Sequence, residues 1–542
     1  MKYTDEKTSP SPTPDVDIAI IGAGISGINT AYRIQTHSPT TTPLSYKIYE
    51  SRQSIGGTWS LFKYPGLRSD SDLFSFGFEW NPWKSEKIIA QADDIMDYLT
   101  SSLRSFGGDK KVDYGMKLDS LDWSTEDQCW TLFFTRTSGS TSDSEKRTTE
   151  RVVQRARWVV LGTGYYDYEN ALPANIPGLS SFKGPIIHPQ FWPDDLDLTD
   201  KRVAIIGSGA TAITILPSIA STTSKVTIIQ RSPTYIAKVP SVDPSADTLK
   251  RWLPSSWANR LLRLKYLWTS YLFFTFCQTF PNAARKMLAK ATAAQLPSTI
   301  PLDPHFTPAY GPWDQRLCAS PDGDFYAALR DGKANIITGH IDTITPDSIV
   351  IKDQPESTVE ADIIITATGL KILVGGGAKI SVDGVSVDIT DKMMWRQCMI
   401  QDVPNLITII GYTNASWTLG ADVALKTLTR VVDRLQGAGR TSATPSLPQG
   451  SQVQRVPFMK MKSTYLLRGN GEMPFAVDRG PWVRRGSYFG DLWGATYGDV
   501  MEDLVSVAPP TRIWYGTRGT SDHNADDLIS CGLTVFRRLR RC

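Results

Sequence analysis

The sequence lacks the cysteine pairs that mark a disulfide framework or a thiol redox centre. Its six cysteines are scattered, and no two of them stand in a C-x-x-C arrangement. This spacing excludes a disulfide scaffold, a zinc site of paired cysteines and a dithiol redox centre. Unpaired cysteines fit a reducing compartment, so we expect a cytoplasmic protein that binds no metal.

The sequence also has little excess charge and no long apolar run. Lysine and arginine total 58 against 55 acids, a net charge of +3, which is too small to indicate a nucleic-acid-binding protein. The most apolar segment, residues 266–276, is too short to span a bilayer, so we expect a core helix there and no integral membrane segment. Residues 1–15 are polar with three prolines and are predicted to form a disordered tail.

A glycine-rich turn near the N terminus predicts a first nucleotide site. A β-branched run at residues 17–21 leads into Gly22, Gly24 and Gly27, and a second strand-like run ends in Glu50, 23 positions beyond Gly27. The first glycine permits a tight turn, the second lets the backbone approach a pyrophosphate, and the third lets the helix pack on the strand. An acid at the place of Glu50 can bond ribose hydroxyls, so this region is predicted to bind a dinucleotide.

A second glycine turn predicts a second nucleotide. Gly207 and Gly209 follow another apolar strand, with Ala212 at the third position of the motif. The strand after this turn is followed by Arg231 and Ser232 and not by an acid. An acid would accept a bond from a free 2′-hydroxyl, whereas arginine pairs with a 2′-phosphate, so we predict NADPH and not NADH.

The segment between the two turns carries a spaced pattern that identifies a family. Phe182, Gly184, His188, Trp192 and Pro193 follow the order F-x-G-x-x-x-H-x-x-x-W-P. This order resembles the fingerprint of type I Baeyer–Villiger monooxygenases at every position. The resemblance implies FAD and NADPH as cofactors, and O2 and a small-molecule ketone as substrates. It also implies that the fingerprint lies at the hinge of two domains, where its histidine influences their motion and does not touch the flavin.

A second signature of the same family lies closer to the N terminus. Gly57, Thr58 and Trp59 belong to a G-G-x-W run, which is followed by an aromatic-Pro-Gly sequence and then by Asp70. Glycine after the ribose-binding acid allows the backbone to lie against the cofactor, and Trp59 offers a flat apolar face. In the family, the aspartate at this position lies near the flavin and supports an active-site arginine, so the resemblance assigns that role to Asp70.

The resemblance places the active-site arginine at Arg316. An arginine stays charged at any working pH and bonds several oxygens, which suits a flavin peroxide and the oxyanion formed when it attacks a ketone. Many ketone-oxidising relatives carry a lysine just before this arginine, where it also reaches the NADP phosphate, whereas Gln315 stands here. Residues 310–318 and 411–418 look closer to the ethionamide-activating subgroup, whose members oxidise ketones and also sulfur in thioamides. The substrate therefore stays open.

Three functions remain open at this point. Two nucleotide turns exclude a simple dehydrogenase, and the missing cysteine pair argues against a disulfide reductase. The leading prediction is an FAD- and NADPH-dependent enzyme that converts a ketone to an ester or lactone through a flavin C4a-peroxide. The alternatives are an S- or N-oxygenating flavin monooxygenase, against which Trp192 argues, and a flavoprotein that only oxidises NADPH or is inactive.

The order of these motifs predicts an α/β fold with two Rossmann-like dinucleotide-binding domains. The FAD-binding domain is predicted to be discontinuous, from residues 16–165 and 361–505, with an NADPH-binding domain of 166–360 inserted between them. Residues 245–300 are rich in large apolar residues and poor in glycine, which predicts a helical subdomain within the insertion. Residues 506–542 are expected to form a C-terminal extension, and the protein to be a monomer or homodimer.

Overall fold

The structure is a computed structural model that describes residues 13–37, 43–138, 148–352 and 354–509. Most of the predicted N-terminal tail lies outside these residues, as does the predicted C-terminal extension beyond residue 509. Strands alternate with helices in two separate sheets, each built on one glycine turn. The predicted α/β class with two Rossmann-like domains is confirmed.

The larger sheet has eleven strands and is built around the first glycine turn. Its strand Val16–Ile21 lies parallel to Tyr46–Tyr49 on one side and to Thr148–Leu161 on the other. Leu406–Thr408 pairs in parallel with Thr148–Leu161, so distant parts of the chain share this sheet. Its remaining strands are Val112–Asp113, Met116–Ser124, Cys129–Ser138, Lys379–Val382, Val385–Val387, Met394–Trp395 and Met399–Ile400.

The smaller sheet has five parallel strands and is built around the second glycine turn. Their spatial order is Ala334–Thr338, Lys225–Gln230, Arg202–Ile206, Ile363–Thr366 and Ile186–Ile187. Because Ile363–Thr366 lies inside this sheet, the chain returns to the larger sheet only after Thr366. The predicted domain boundary at residue 361 is therefore too early, since the apolar strand before the A-T-G turn completes the smaller sheet.

Two segments cross between the sheets side by side. The backbone N–H of Asp167 donates to the carbonyl of Lys371 at 2.8 Å, and that of Leu373 donates to the carbonyl of Tyr165 at 3.0 Å. The ammonium of Lys371 also lies 2.8 Å from the carboxylate of Asp167. The outgoing and returning crossovers are thus bonded to each other.

Three helices occupy the segment predicted as a helical subdomain: Ala246–Trp252, Ser255–Thr279 and Pro281–Ala293. The expectation of a core helix at residues 266–276 is wrong, because the helix that contains them rests on the protein along one narrow face. Only three of its residues are buried: Ala258, Leu262 and Cys277. No helix in the described ranges combines the length and apolarity needed to cross a bilayer.

The other helices cover the sheets and connect them. Helix Ile25–Thr36 packs beside Trp417–Gly437 against the larger sheet, and the buried Asn29 donates to Asp422 at 2.9 Å between the two helices. The remaining helices are Thr58–Leu61, Leu73–Phe76, Ala92–Ser105, Ala210–Ile219, Asp324–Arg330, Thr464–Gly469 and Tyr488–Tyr497. The remaining strands are Ile236–Val239, Cys318–Pro321, Ile341–Ile344, Ser348–Ile351, Gln354–Glu360, Ser442–Pro445, Val456–Pro457, Phe475–Ala476 and Leu504–Val507.

Candidate functional site

The first glycine turn is packed so closely that no side chain can be added at Gly22 or Gly27. A Cβ atom on Gly27 would lie 1.9 Å from the carbonyl oxygen of Gly22, so only glycine lets helix and strand approach this far. Gly57 has a φ of +60° and lies against Gly24, since a Cβ added to it would be 3.3 Å from the Gly24 Cα. These glycines leave a strip of bare backbone at the start of helix Ile25–Thr36, which fits the pyrophosphate of a dinucleotide.

Glu50 lies at this turn, at the carboxyl end of strand Tyr46–Tyr49, where a ribose-binding acid is expected. It is 4% exposed, and one carboxylate oxygen accepts from the backbone N–H of Ala23 at 2.7 Å. The other oxygen accepts from the backbone N–H of Arg52 at 3.0 Å. The acid is thus fixed by the turn, and its bond to a ribose stays a prediction.

Thr58 and Trp59 begin the short helix after Gly57. The Thr58 hydroxyl is 2.9 Å from the hydroxyl of Tyr168, which lies in the outgoing crossover. The Trp59 ring packs edge to face on Phe76, with centroids 5.8 Å apart. Both residues directly follow Gly57, which lies against the first turn, and their contact with a cofactor stays a prediction.

The second glycine turn is tight on one side and open on the other. Gly207 has a φ of +135°, and a Cβ there would lie 2.2 Å from the carbonyl oxygen of Ala367. A Cβ on Gly209 would meet no described heavy atom within 4 Å. Ala212 is fully buried, in helix Ala210–Ile219. The open side at Gly209 gives a phosphate room to approach the turn.

Arg231 and Ser232 follow strand Lys225–Gln230 and are exposed beside the second turn. The Ser208 hydroxyl donates to the Ser232 carbonyl at 2.8 Å, which ties this loop to the glycine turn. The Arg231 guanidinium lies 3.5 Å from the Thr464 hydroxyl of a distant segment. An exposed cation beside an open glycine turn suits a nucleotide phosphate.

Arg316 and Asp70 are 246 positions apart and form a two-point ion pair. The Arg316 Nε lies 2.7 Å from one Asp70 oxygen, and Nη2 donates to the other at 2.8 Å. Nη2 also lies 3.2 Å from the Ser71 hydroxyl. Both side chains of the pair remain about one-third exposed, at 34% and 33%. The structure thus joins the two residues that the family resemblance assigned to one site.

A second ion pair supports the first. Arg68 pairs with Asp324, so residues just before Asp70 are bonded to the start of helix Asp324–Arg330, shortly after Arg316. The Arg68 side chain is almost completely buried. Because the same two segments are joined twice, the orientation of the Arg316 guanidinium is set by the fold.

Three tyrosines surround this cation. The Tyr165 hydroxyl is 3.0 Å from that of Tyr166 and 3.4 Å from that of Tyr465. Burial raises the pKa of Tyr165 and of Tyr166 well above the ordinary value, so both phenols stay neutral. Burial alone would lower the pKa of Arg316, but the Asp70 carboxylate outweighs it and the pKa is raised. Arg316 is therefore a permanent cation among neutral hydroxyl groups.

A cavity of about 380 Å³ is lined by residues close to Arg316 along the chain, although neither Arg316 nor Asp70 lines it. Trp313 and Asp314 line it, three and two residues before Arg316, and Gln315 lies between Asp314 and Arg316. The rest of its wall comes from Phe274, Gln278, residues 411–414, residues 458–462 and residues 484–486. Its size is in the range of small-molecule sites, and its wall mixes aromatic rings with a few polar groups.

Two side chains in the cavity wall hold polar nitrogen atoms that are buried without a partner. Among the described residues, the Trp313 Nε1 and the Arg485 Nε and Nη1 have no hydrogen-bond acceptor. The Arg485 guanidinium lies 4.9 Å from the centre of the Tyr412 ring. Buried donors without acceptors are uncommon in folded proteins, and water or a ligand with oxygen acceptors in the cavity would satisfy these atoms.

The fingerprint residues lie at the edge of the smaller sheet, away from this ion pair. A Cβ on Gly184 would be 2.2 Å from the Asp362 carbonyl oxygen, which keeps glycine next to strand Ile363–Thr366. The smaller sheet contributes to two hydrophobic clusters. Phe182 is buried in one of them, and Trp192, which is followed by Pro193, packs on the other. These residues hold the edge strand Ile186–Ile187 in place.

His188 caps a short turn within the fingerprint. Its Nδ1 accepts from the Gln190 backbone N–H at 3.2 Å, and burial lowers the pKa of the imidazole. The Gln190 amide donates to the Asp167 carbonyl at 2.8 Å. Because Asp167 belongs to the paired crossovers, the fingerprint contacts the connection between the two sheets.

One basic segment of the site was not predicted from the sequence. From residue 459 to residue 464, buried and exposed positions alternate, which places Lys460, Lys462 and Thr464 on one exposed face. Thr464 contacts Arg231, and the Lys462 backbone N–H donates to the Asp314 carbonyl at 2.8 Å. The alternating pattern is visible in the sequence M-K-M-K-S-T, but nothing local shows that it meets Arg231.

Comparison with protein families gives two matches at these features. Residues 117–243 match the flavin-binding monooxygenase-like family, and this range includes the fingerprint and the second turn. Residues 20–86 match the NAD(P)-binding Rossmann-like domain, which includes the first turn and Asp70.

Solved structures show the same fold. The chain superposes on a polycyclic ketone monooxygenase from the thermophilic fungus Thermothelomyces thermophila with a TM-score of 0.68 and 18% identity, covering 92% of this chain and 91% of the other. It also superposes on an oxidized steroid monooxygenase bound to NADP, with a TM-score of 0.68, 18% identity and coverage of 91% and 99%.

A sequence relative is close enough to show the family. The chain is 40% identical over 497 residues to the FAD-containing monooxygenase EthA of Mycobacterium tuberculosis (strain ATCC 25618 / H37Rv), and the match covers 92% of this chain and 98% of the relative. The chain therefore belongs to the family of FAD-containing flavin monooxygenases that includes EthA.

Proposed function

We propose that this flavin monooxygenase is a Baeyer–Villiger enzyme, which inserts one oxygen atom of O2 between the carbonyl carbon of a ketone and a neighbouring carbon. The products are an ester or lactone, NADP+ and water, with NADPH and a proton consumed. The observation that carries the proposal is the two-point Arg316–Asp70 pair, whose arginine follows the cavity-lining Trp313 and Asp314 closely along the chain.

FAD and NADPH are the cofactors, and the two glycine turns are suited to hold them. The bare backbone at Gly24, Gly27 and Gly57, with Glu50 beside it, fits the pyrophosphate and ribose of FAD. The open turn at Gly209 and the exposed Arg231 fit NADPH. Bound FAD, once reduced by NADPH, supplies the activation of O2.

Arg316 stabilises the negative oxygen that develops when the ketone carbonyl is attacked. Its guanidinium carries several N–H donors, so it bonds Asp70 and still has donors for a substrate oxygen. Asp70 is a positioning residue, which holds the guanidinium at two points and moderates its charge. Because Tyr165 and Tyr166 stay neutral, they add no negative charge that would compete with the substrate oxygen for the guanidinium.

Lys462 supports Arg231 in binding the 2′-phosphate of NADPH. A 2′-phosphate carries close to two negative charges, so one arginine leaves part of it unpaired. Lys462 shares an exposed face with Thr464, which touches Arg231. The Lys462 side chain is 67% exposed, and its ammonium lies 3.4 Å from the Asp314 carboxylate, a surface ion pair weak enough for a phosphate to displace. Many ketone-oxidising relatives carry a phosphate-binding lysine at the position of Gln315, which has no charge. In this proposal Lys462 supplies that second cation.

The fingerprint couples the two nucleotide domains. Gln190 bonds the outgoing crossover, and strand Ile186–Ile187 pairs with Ile363–Thr366, the strand that leads into the returning one. A shift of the smaller sheet would therefore pull on both crossovers through these contacts. His188 serves as a structural cap in this role and needs no contact with the flavin.

The test is product analysis under 18O2 with FAD, NADPH and a panel of cyclic and linear ketones plus a thioether. We expect an ester or lactone that carries one 18O atom from at least one ketone. Oxygenation of the thioether alone would favour the S-oxygenating alternative. NADPH consumption matched by H2O2, with no oxygenated product, would favour the oxidase alternative.

A further inference from the structure

The long helix Ser255–Thr279 carries an apolar stripe that faces solvent. Five residues, spaced four, three, four and four positions apart, are all exposed: Trp257, Leu261, Leu264, Trp268 and Leu272. At about 100° per residue they fall within roughly 80° of the helix circumference. Trp257 is 59% and Leu272 57% exposed, although the surface helices of globular proteins normally turn an apolar face toward the core.

A second helix extends this apolar stripe. The Trp268 ring stacks on Phe489 of helix Tyr488–Tyr497, with centroids 4.6 Å apart. Phe489, Trp493 and Tyr497 are four residues apart and share one face, and the last two are each 68% exposed. The two helices therefore present one continuous aromatic and aliphatic surface, larger than the scattered apolar residues of an ordinary surface.

The helices of this subdomain are strongly basic. Ala246–Trp252, Ser255–Thr279 and Pro281–Ala293 together contain eight lysines and arginines and a single acid, Asp247. Three of the eight are ion-paired with acids: Arg251 with Asp247, Arg263 with Asp422 and Lys265 with Asp243. The other five have no ion pair among the described residues, and one of them, Arg260, lies along an edge of the apolar stripe. The eight cations and one acid give these helices a net charge of +7, so the rest of the chain carries −4 to make the +3 of the whole protein. The positive charge is thus concentrated where the apolar side chains are exposed.

We infer that this surface docks on an anionic lipid bilayer. Exposed tryptophans and leucines flanked by lysine and arginine are the composition of helices that lie in the membrane interface. Each cation near an anionic surface adds attraction that salt weakens. A second copy of the chain is a poorer occupant, because two such surfaces would bring the five cations of these helices that lack a described ion pair against five more of the same sign.

Docking would place the cavity close to the bilayer. The same helix contributes Phe274 and Gln278 to the cavity wall, beyond the end of the stripe. If the proposed function holds, the ketones delivered in this way are apolar molecules dissolved in the membrane. The docking itself does not depend on the reaction.

The test is co-sedimentation of the FAD-loaded, full-length protein with vesicles of phosphatidylcholine, with and without phosphatidylglycerol. We expect binding to the anionic vesicles, weaker binding to neutral ones, and release by salt. The triple variant W257Q, L264Q and L272Q should bind at least about tenfold more weakly. The matched control F133Q, V153Q and V385Q removes as many exposed apolar side chains from the larger sheet and should bind like the unmodified protein.

Three outcomes would overturn this inference. They are no binding of the unmodified protein to anionic vesicles, equal binding of the stripe variant and the control, and a fall in oligomeric mass of the stripe variant without vesicles. The last would show that a second copy covers the face. The proposed function is tested separately, since the oxygenation assay with a water-soluble ketone needs no vesicles.

Discussion

The two glycine turns have the same backbone plan but different surroundings. At the first turn, Glu50 is buried and bonded to the turn itself, and Gly57 closes over Gly24. At the second turn, Arg231 and Ser232 are exposed and the space beside Gly209 is open. The difference suits a tightly held FAD at the first turn and an exchanging NADPH, recognised by its phosphate, at the second.

Replacing one glycine by alanine in each turn should show the largest difference between the two turns. Gly27→Ala places a Cβ 1.9 Å from the Gly22 carbonyl, so we expect loss of FAD binding and a large fall in stability. The Cβ added by Gly209→Ala meets no described atom within 4 Å. This variant should therefore keep its FAD content and melting temperature but bind NADPH more weakly. FAD absorbance and thermal melts check both. Equal losses in the two variants would contradict the comparison.

Removing the Arg316 cation should affect the reaction and leave both cofactors bound. We expect Arg316→Ala to lower oxygenation by about 10²- to 10³-fold, because the developing oxyanion loses its charged donor. The rate of FAD reduction by NADPH, measured anaerobically, should change little. An equal fall in both rates would show that Arg316 acts in NADPH binding. Asp70→Asn should have a smaller effect, since it keeps an oxygen acceptor near Arg316.

Removing the exposed arginine should change the choice of nucleotide. Arg231→Met is expected to weaken NADP+ binding on the order of tenfold or more, and to leave NAD+ binding unchanged, because only NADP+ carries the 2′-phosphate. Calorimetry with each nucleotide measures this directly. An equal loss for both nucleotides would place Arg231 away from the phosphate.

Removing the charge of Lys462 should also weaken recognition of the 2′-phosphate, but less than removing Arg231. Lys462→Met is expected to weaken binding of 2′,5′-ADP several-fold without changing that of 5′-AMP. The matched control is Lys225→Met, which removes the same charge at the opposite end of the strand that precedes Arg231. If the two variants bind 2′,5′-ADP equally, Lys462 has no specific role.

The smallest expected effect is on the pH dependence of folding stability, through His188 at the edge of the smaller sheet. Burial lowers the pKa of His188 below about 6.5, its unfolded value, so the folded protein prefers the neutral ring. Stability from this group is therefore complete above about pH 6.5 and is lost as pH falls through the folded pKa. His188→Gln should flatten that fall by under about 1 kcal/mol in denaturant titrations at several pH values. His305, whose pKa burial also lowers, is unchanged in both proteins. If the free energy of unfolding falls equally with decreasing pH in the variant and the unmodified protein, the His188 ring is not buried in its neutral form.

Local patterns predicted much of the fold and of the cofactor sites. Short β-branched runs ending in glycine became the central parallel strands of both sheets, because that composition is stable only when both faces are covered. Prediction failed at residues 266–276, where an apolar helix lies on the surface. Burial depends on what the rest of the chain places against a helix, and composition alone does not contain that information.

The sequence by itself determined the two nucleotide turns, the α/β class and the family, since each depends on residues within a few positions of one another. Only the tertiary structure decided which distant residues meet. It joined Arg316 to Asp70 across 246 positions and brought Thr464 to Arg231. Among the described residues, it also left the stripe from Trp257 to Leu272 largely exposed. Such contacts follow from how two sheets and a helical insertion pack together, and this packing is a property of the whole chain.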